Sequence, residues 1–315
     1  ATKKKRMSNP KLALIPSGYE EEKVYSILPS NGDGDLQFDR ESSGTRVNKD
    51  GLIETMAADF PRLDWLNSDC PSLLIETLRT NRQIRSEEID NAAWTKTGTT
   101  VTANQVISPT GELSADKLIR TSTSANYVSD ASAKSSSAQL DITTSVFVKQ
   151  GEGDFFAFRS QGSYPNRGEA IYQFSTNTLT TSVAGSNYTV VASSVENYGN
   201  GWYRLSATFN TDAAATVTSL FSPRATSGVI DGTDTSTTAF AYVWGIQVEE
   251  GNSLSSYIKT TSAAVTREAD VSSVTTPSGV TQIVETFSDN TTNTITSIPG
   301  TYTVSNGKVK KVIMT

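Results

Sequence analysis

The sequence predicts an all-β protein, an antiparallel β-sandwich with an extended N-terminal arm and a small C-terminal β-meander. Three observations predict it. Short segments of alternating apolar and polar residues end at Gly, Asn, Asp or Ser throughout residues 86–260. No stretch keeps a helical apolar period beyond about two turns; residues 81–91 are the best, weak, case. Hydrophobic residues make up 36% and charged residues 19%, below the usual ~45–50% and ~25%, and Ser, Thr, Asn and Gly fill the difference. Thr-rich strands suit a pleated, half-solvated surface.

Residues 1–85 read as an extended N-terminal region. Pro10, Pro16 and Pro29 break any helix there, and the segment from Lys23 to Leu28 alternates weakly as a strand. Apolar spots at Leu14, Ile15, Tyr19, Tyr25, Ile27 and Leu28, on an arm with no core of its own, must cover its own domain or dock on a partner. Turn signals follow at Asn31-Gly32-Asp33-Gly34-Asp35, Ser43-Gly44 and Asn48-Lys49-Asp50-Gly51. Asp50-Gly51 predicts a hairpin that sets Thr45-Arg46-Val47 against Leu52-Ile53-Glu54.

Residues 86–270 carry the sandwich. Val146-Phe147-Val148, the turn Gly151-Glu152-Gly153-Asp154 and Phe155-Phe156-Ala157-Phe158 resemble one hairpin, and Ile171-Tyr172-Gln173-Phe174 is a further strand. The Ser/Thr-rich residues 121–137 count as ordered, because strands flank them. After Asn200-Gly201, Tyr203, Leu205, Ala207 and Phe209 share one face and Trp202, Arg204, Ser206 and Thr208 the other. Strict alternation also puts Phe240, Tyr242, Trp244, Ile246 and Val248 on one face, with Val243 the exception opposite. Trp202 and Trp244 read as core or sheet-face residues, and Trp94 as a cover at one end. Residues 271–315 read as a β-meander with turns at Ser288-Asp289-Asn290, Pro299-Gly300 and Asn306-Gly307. A unit that small is expected to pack on a neighbour or to oligomerise.

Composition excludes most chemistry. With no histidine, the Ser-His-Asp and Cys-His arrangements and all histidine metal sites are absent. With one cysteine, Cys70, neither a disulfide framework nor a zinc cluster forms within the chain. Carboxylate chemistry survives, but the close pairs Glu152/Asp154 and Asp231/Asp234 sit in Gly-rich turns where acids are ordinary. Asp33 and Asp35 carry a fragment of a calcium loop whose later ligands do not line up. No cofactor is expected, and calcium has no further support. The net charge of −6 includes a +4 tip at residues 3–6, read as a solvated terminus, so the rest of the chain carries −10. Such a body does not suggest nucleic acid. No apolar run approaches the ~18 residues of a membrane helix, and the start lacks the apolar core of a signal peptide.

Three stretches together resemble a known family. The first is Gly44-Thr45-Arg46-Val47-Asn48-Lys49-Asp50-Gly51-Leu52-Ile53-Glu54 with Pro61-Arg62-Leu63-Asp64-Trp65 and Cys70-Pro71-Ser72-Leu73-Leu74-Ile75-Glu76. The second is Gly199-Asn200-Gly201-Trp202-Tyr203-Arg204. The third is Tyr242-Val243-Trp244-Gly245-Ile246-Gln247-Val248-Glu249 with Ser256-Tyr257-Ile258-Lys259-Thr260 and Thr266-Arg267-Glu268-Ala269-Asp270. They resemble tailed-phage virion proteins described as head spike, head fibre or tail fibre proteins. The resemblance spans residues 11–270 and implies a carbohydrate-binding-module-like, concanavalin-type jelly roll. It departs at Glu41, Gly44 and Thr77-Leu78, all read as surface-loop differences. The family pattern is a folding signature and transfers no catalytic residue.

The resemblance implies a non-enzymatic fibre or spike subunit on the virion surface, assembled in the host cytoplasm, anchored by its N-terminal region and trimeric. Its partners would be capsid or tail proteins and a host-surface glycan, with no nucleic acid and no membrane. A tail-associated receptor-binding protein or polysaccharide depolymerase is the alternative. Sugar binding uses exposed aromatic platforms beside fixed polar groups; Tyr164, Arg167, Tyr188 and Tyr198 are the candidates in turn-rich segments.

Overall fold

The computed structural model describes residues 9–315, and among the described residues every regular element is a strand. The basic tip at residues 3–6 lies outside them. Residues 81–91, the best helical candidate, begin in a short strand and continue as successive turns. Glu88, Asn91 and Trp94 each donate their amide to the carbonyl three residues earlier, and Arg85 takes φ 52°. Ile89 of this segment and Trp94 just beyond it enter a core built mainly by strands, which overrides the weak helical period.

The chain folds as two compact units, one formed by the chain up to Leu78 and from Arg267 on, the other by residues 79–266. In order, the first unit contributes β1 (Leu12–Leu14), β2 (Tyr19–Glu20), β3 (Lys23–Val24), β4 (Leu36–Asp39), β5 (Gly44–Val47), β6 (Ile53–Met56), β7 (Leu63–Asp64) and β8 (Ser72–Ile75). The chain then runs through β9 (Arg79–Asn81), β10 (Thr95–Thr97), β11 (Thr99–Ile107), β12 (Leu113–Arg120), β13 (Tyr127–Ala133), β14 (Asp141–Glu152), β15 (Phe155–Gln161) and β16 (Arg167–Gln173). It continues through β17 (Thr178–Ala184), β18 (Thr189–Gly199), β19 (Trp202–Asn210), β20 (Thr216–Arg224), β21 (Phe240–Glu250) and β22 (Val265–Arg267). The first unit resumes with β23 (Val271–Thr275), β24 (Ile283–Phe287), β25 (Thr292–Ile295), β26 (Thr301–Thr303) and β27 (Gly307–Met314).

The second unit is a jelly roll by strand order. One sheet runs β11-β12-β21-β14-β19-β18 and the other β10-β13-β20-β15-β16-β17. The pairs β12·β21, β13·β20, β14·β19 and β15·β16 are nested in sequence and alternate between the sheets, as in two interleaved Greek keys. Between the sheets lie Leu118, Val146, Val148, Phe156, Phe158, Tyr172, Leu205, Phe209, Phe221 and Ile246, all fully buried. The two faces expected on β19 are observed: Leu205, Ala207 and Phe209 line the core with Tyr203 against them, and Arg204 points outward over Phe147.

Residues 146–148 and 155–158 do not form a hairpin, because β14 and β15 lie in opposite sheets. The corner at Gly151 and Gly153 carries the chain across. A Cβ on Gly151 would meet the Phe240 ring at 2.1 Å, and Gly153 has φ 107° with the Arg224 carbonyl 2.5 Å from its would-be Cβ. The face of β21 is also not continuous. A bulge at Gly245, φ 61°, shifts the register against β14 between Ser145 and Phe147. Ala241 and Val243 therefore face the core before the bulge, and Ile246 and Val248 after it. Trp244 turns outward onto Phe147 and Tyr257, at ring separations of 5.3 and 4.6 Å.

In the first unit, the segments read as arm and meander share sheets instead of standing apart. β1 and β8 both pair with β27 beside β24, and β4 pairs with β23, which also holds β26. Leu12, Leu14, Val24, Leu36, Phe38, Tyr302, Val309 and Met314 form one core. The hairpin at Asp50-Gly51 is present, with Val47 opposite Ile53 and Arg46 opposite Glu54. The acidic turn before β4 is tied locally: the Asp35 carboxylate accepts the Ser26 amide at 2.8 Å.

A buried ion cluster of this unit gathers on Asp270, whose side chain is closed to solvent. Its carboxylate accepts hydrogen bonds from Arg40 Nη1 at 3.0 Å, from Arg62 Nη2 and from the Glu76 amide at 2.8 Å; Arg267 lies 3.7 Å away and Glu76 pairs with Arg62 at 2.8 Å. Gly44 is buried among these arginines and is not a surface-loop residue. A Cβ there would lie 3.2–3.3 Å from Arg40, Arg62 and Arg267 side chains.

Candidate functional site

The site grows from the β15–β16 hairpin. Alternation on these strands turns Phe156, Phe158, Ala170 and Tyr172 into the core and leaves Arg159, Gln161, Arg167 and Glu169 on the outer face. Arg159 and Glu169 are cross-strand partners, each five residues from Tyr164 at the hairpin tip. Arg159 Nε donates to Glu169 Oε1 at 2.6 Å, its Nη1 to Gln161 Oε1 at 3.1 Å, and its Nη2 to Asp231 Oδ1 at 2.7 Å. Arg167 Nε donates to the same Glu169 oxygen at 3.3 Å, and its guanidinium lies 5.6 Å from the Tyr164 ring centre.

Asp231 comes from the segment between β20 and β21. That segment is seated by Ile230, which packs on Ala157 and Leu220 of the outer face. It is clamped further at Asp234, between Arg120 at 3.9 Å and Arg224 at 3.7 Å. From below, Asp212 Oδ2 accepts the Ser163 amide at 2.8 Å and the Asn166 side chain at 3.1 Å, which fixes the hairpin tip. Gly162 lets the strand approach this carboxylate, 2.1 Å from its would-be Cβ.

Electrostatically the cluster is balanced, two guanidinium groups against two carboxylates. Burial pushes the Asp231 carboxyl up, but its bond to Arg159 and the charge of Arg159 more than offset this and hold it low. Burial likewise lowers the Arg159 guanidinium, and Asp231 and Glu169 carry it above its ordinary value. Asp231 stays 41% exposed and Tyr164 74%, while Arg159 and Glu169 are buried. The arrangement offers a flat aromatic face, a guanidinium edge, an amide and a carboxylate on a rigid base. That set can stack a ring and exchange hydrogen bonds with hydroxyls.

Of the four predicted residues, Tyr164 and Arg167 come together. Tyr188 does not join them. It is 3% exposed, belongs to the core beside Phe209, and presents no face to a ligand. Tyr198 is half-buried against Phe147 at 4.8 Å, on the other sheet. Arg159, Gln161 and Glu169 were missed, and Asp231 was named only as half of a carboxylate pair, not as a partner of Tyr164. A charge closing the apolar run Phe155-Phe156-Ala157-Phe158, and its opposite at equal distance across the tip, was the available signal. Of the apolar spots in residues 11–29, Leu14 is buried and Tyr19 half-buried, whereas Ile15, Tyr25, Ile27 and Leu28 are exposed.

Asp231 apart, the carboxylates paired from sequence are engaged elsewhere. Asp154 is held low by Ser175 and Gln173, Glu152 accepts a bond from Thr238, and Asp234 is buried between arginines. Burial raises the carboxyls of Asp116 and Glu249, and both side chains are closed to solvent.

The strand order and the braced hairpin tip define a jelly-roll sandwich with a rigid polar and aromatic surface patch. No family model matches the chain, and no curated protein does. Among solved structures it is similar to the enzymatically active domain of bacteriophage CBA120 tailspike protein 4, at 12% identity and a TM-score of 0.34, over 54% of this chain and 21% of that one. It is similar to the CBM22-1–GH10 modules of Clostridium thermocellum xylanase 10B complexed with xylohexaose, at 14% identity and a TM-score of 0.30, over 59% of this chain and 30% of that one. It is also similar to the CBM22-1 xylan-binding domain of Paenibacillus barcinonensis Xyn10C, at 14% identity and a TM-score of 0.31, over 56% of this chain and 94% of that one. The chain thus spans less than a third of the length of the first two.

Proposed function

We propose that this chain is a structural virion subunit, a head fibre or spike or a tail fibre, that displays the jelly roll outward and adheres to host-surface glycans. Its place would be the virion surface and its other partners capsid or tail proteins. The single observation that carries the adhesive part is Tyr164, 74% exposed at a hairpin tip and backed by the ion network of Arg159, Arg167, Glu169 and Asp231. A neutral network favours an uncharged sugar, whose hydroxyls meet Asp231 and Gln161 without a charge to repel. Attachment to the particle would use the exposed apolar side chains Ile15, Tyr25, Ile27 and Leu28. The reading is non-catalytic. Glycoside hydrolysis needs one carboxyl kept protonated as an acid, and Asp154 and Asp231 are both held low.

A glycan array with the wild-type chain and Tyr164→Ala tests the adhesive part. Binding of neutral host glycans, reduced at least tenfold by the variant (about 1.4 kcal/mol), is expected. No binding to any host-surface sugar refutes it, and release of reducing ends from host capsule would make the chain an enzyme instead. Ile27→Glu with Leu28→Glu should abolish incorporation into particles; normal incorporation removes the anchoring role.

A further inference from the structure

We infer that the sandwich edge formed by β17 and β18 is an assembly surface for a second copy of this chain. Both strands end their sheets, β17 next to β16 and β18 next to β19, so among the described residues each leaves one side of its ladder without a strand. An open edge is a template for another extended segment, and soluble proteins guard such edges with Lys, Pro, bulges or short length.

The opposite side of the sandwich is guarded in this way. Edge strand β10 has three residues, one of them Lys96, and edge strand β11 carries two register shifts and Asn104 at φ 54°. The β17–β18 side differs. Residues 170–195 form a run of 26 without Asp, Glu, Lys, Arg or Pro. β17 pairs with β16 in unbroken register over all seven residues, so its free side is regular. Val183, Val190 and Val191 stand 40–44% exposed along the same side. A single bulge near Val191 is the only such guard on the first half of β18.

The occupant must supply a main-chain ladder and tolerate an uncharged edge. A second copy meets both conditions, because the run brings no like charges together in any register.

Light scattering coupled to gel filtration, on the full chain at micromolar concentration, tests this. The wild type should run as a multiple of 33.8 kDa. The double variant Thr180→Lys and Ala192→Lys, placing a cation on each edge strand, should run as a monomer that still melts cooperatively. Thr102→Lys on the guarded edge β11 should leave the assembly intact. A monomeric wild type overturns the proposal, as does an assembly that survives the double variant. Loss of assembly in Thr102→Lys as well would show a general effect of charge and overturn it too. A variant that fails to melt cooperatively is replaced by Ser182→Lys with Ser193→Lys, read in the same way.

Discussion

Replacing Asp270 by Asn should unfold the first unit selectively. The change keeps the side chain's shape and removes one charge. In the native structure three guanidinium groups, Arg40, Arg62 and Arg267, face two carboxylates, Asp270 and Glu76. The variant leaves three cations against Glu76 alone, and all three arginines are closed to solvent. It also turns an acceptor of three hydrogen bonds into a group with one acceptor oxygen and an amide that points a donor at a guanidinium. Breaking one side of a buried pair costs about 3–5 kcal/mol. With a urea dependence of about 2 kcal/mol per molar for a unit of this size, the midpoint should fall by roughly 2 M. Hydrogen exchange read on peptides covering β4, β5 and β23 reports the first unit, and peptides covering β14 and β19 report the sandwich. The expected result is a large loss of protection in the former and none in the latter. A shift below about 1 kcal/mol would refute the reasoning, because surface-grade ion pairs are worth that little.

Other outcomes follow from the sandwich. Gly153→Ala should cost the second unit at least about 1–3 kcal/mol, since φ 107° and the Arg224 carbonyl both oppose a Cβ; urea denaturation checks it. Phe147→Ala should cost about 3–5 kcal/mol, because Phe147 is fully buried against Trp244, Tyr198 and Tyr257, and tryptophan fluorescence should shift to the red. Asp116 gives a pH dependence. Burial pushes its carboxyl up to about 6, against 3.8 unperturbed, although the Asn104 and Asp90 amides pull it down. The native state therefore binds a proton between about pH 4 and 6 that the unfolded chain has released, so stability rises as pH falls through that window, by at most ~1.4 kcal/mol per pH unit. Melting curves at pH 5 and 7 should show this rise in the wild type and not in Asp116→Asn.

The fold class was legible because period 2 and turn chemistry are local. The two faces of β19 and the hairpin at Asp50-Gly51 follow from a few neighbouring residues. Sheet membership is not local. Gly151-Glu152-Gly153-Asp154 is as good a hairpin turn as a jelly-roll corner, and only the partners of β14 and β15 decide between them. The bulge at Gly245 escaped for a related reason. One inserted residue inverts every later side chain, and the hint was that Val243 broke the assumed alternation. The site was half legible. An exposed tyrosine in a turn-rich loop can be guessed, but Asp231 reaches it from 67 residues beyond Tyr164 in sequence, carried by a segment without regular structure.

The motif stretches can now be given physical work, and that work is folding. Arg62, Glu76, Arg267 and Asp270 meet in one buried ion cluster around Gly44. Outside the bulge, Gln247 and Glu249 satisfy the strap that follows β21: Gln247 Oε1 accepts the Ile258 amide at 2.7 Å, and Glu249 accepts the Ser255 amide at 2.9 Å. Asn81 ties the same region by accepting the Val248 amide at 3.0 Å and donating to the Ile258 carbonyl at 2.8 Å. Each of these buried polar groups would cost about 1–3 kcal/mol if left unpaired. Tyr164, Arg167 and Asp231 lie outside every motif stretch. A substitution there removes no buried bond network except through Arg159, so Tyr164→Ala should change binding and leave the melting temperature within a degree or two. A fall as large as that expected for Phe147→Ala would instead make Tyr164 a structural residue and end its role as a platform.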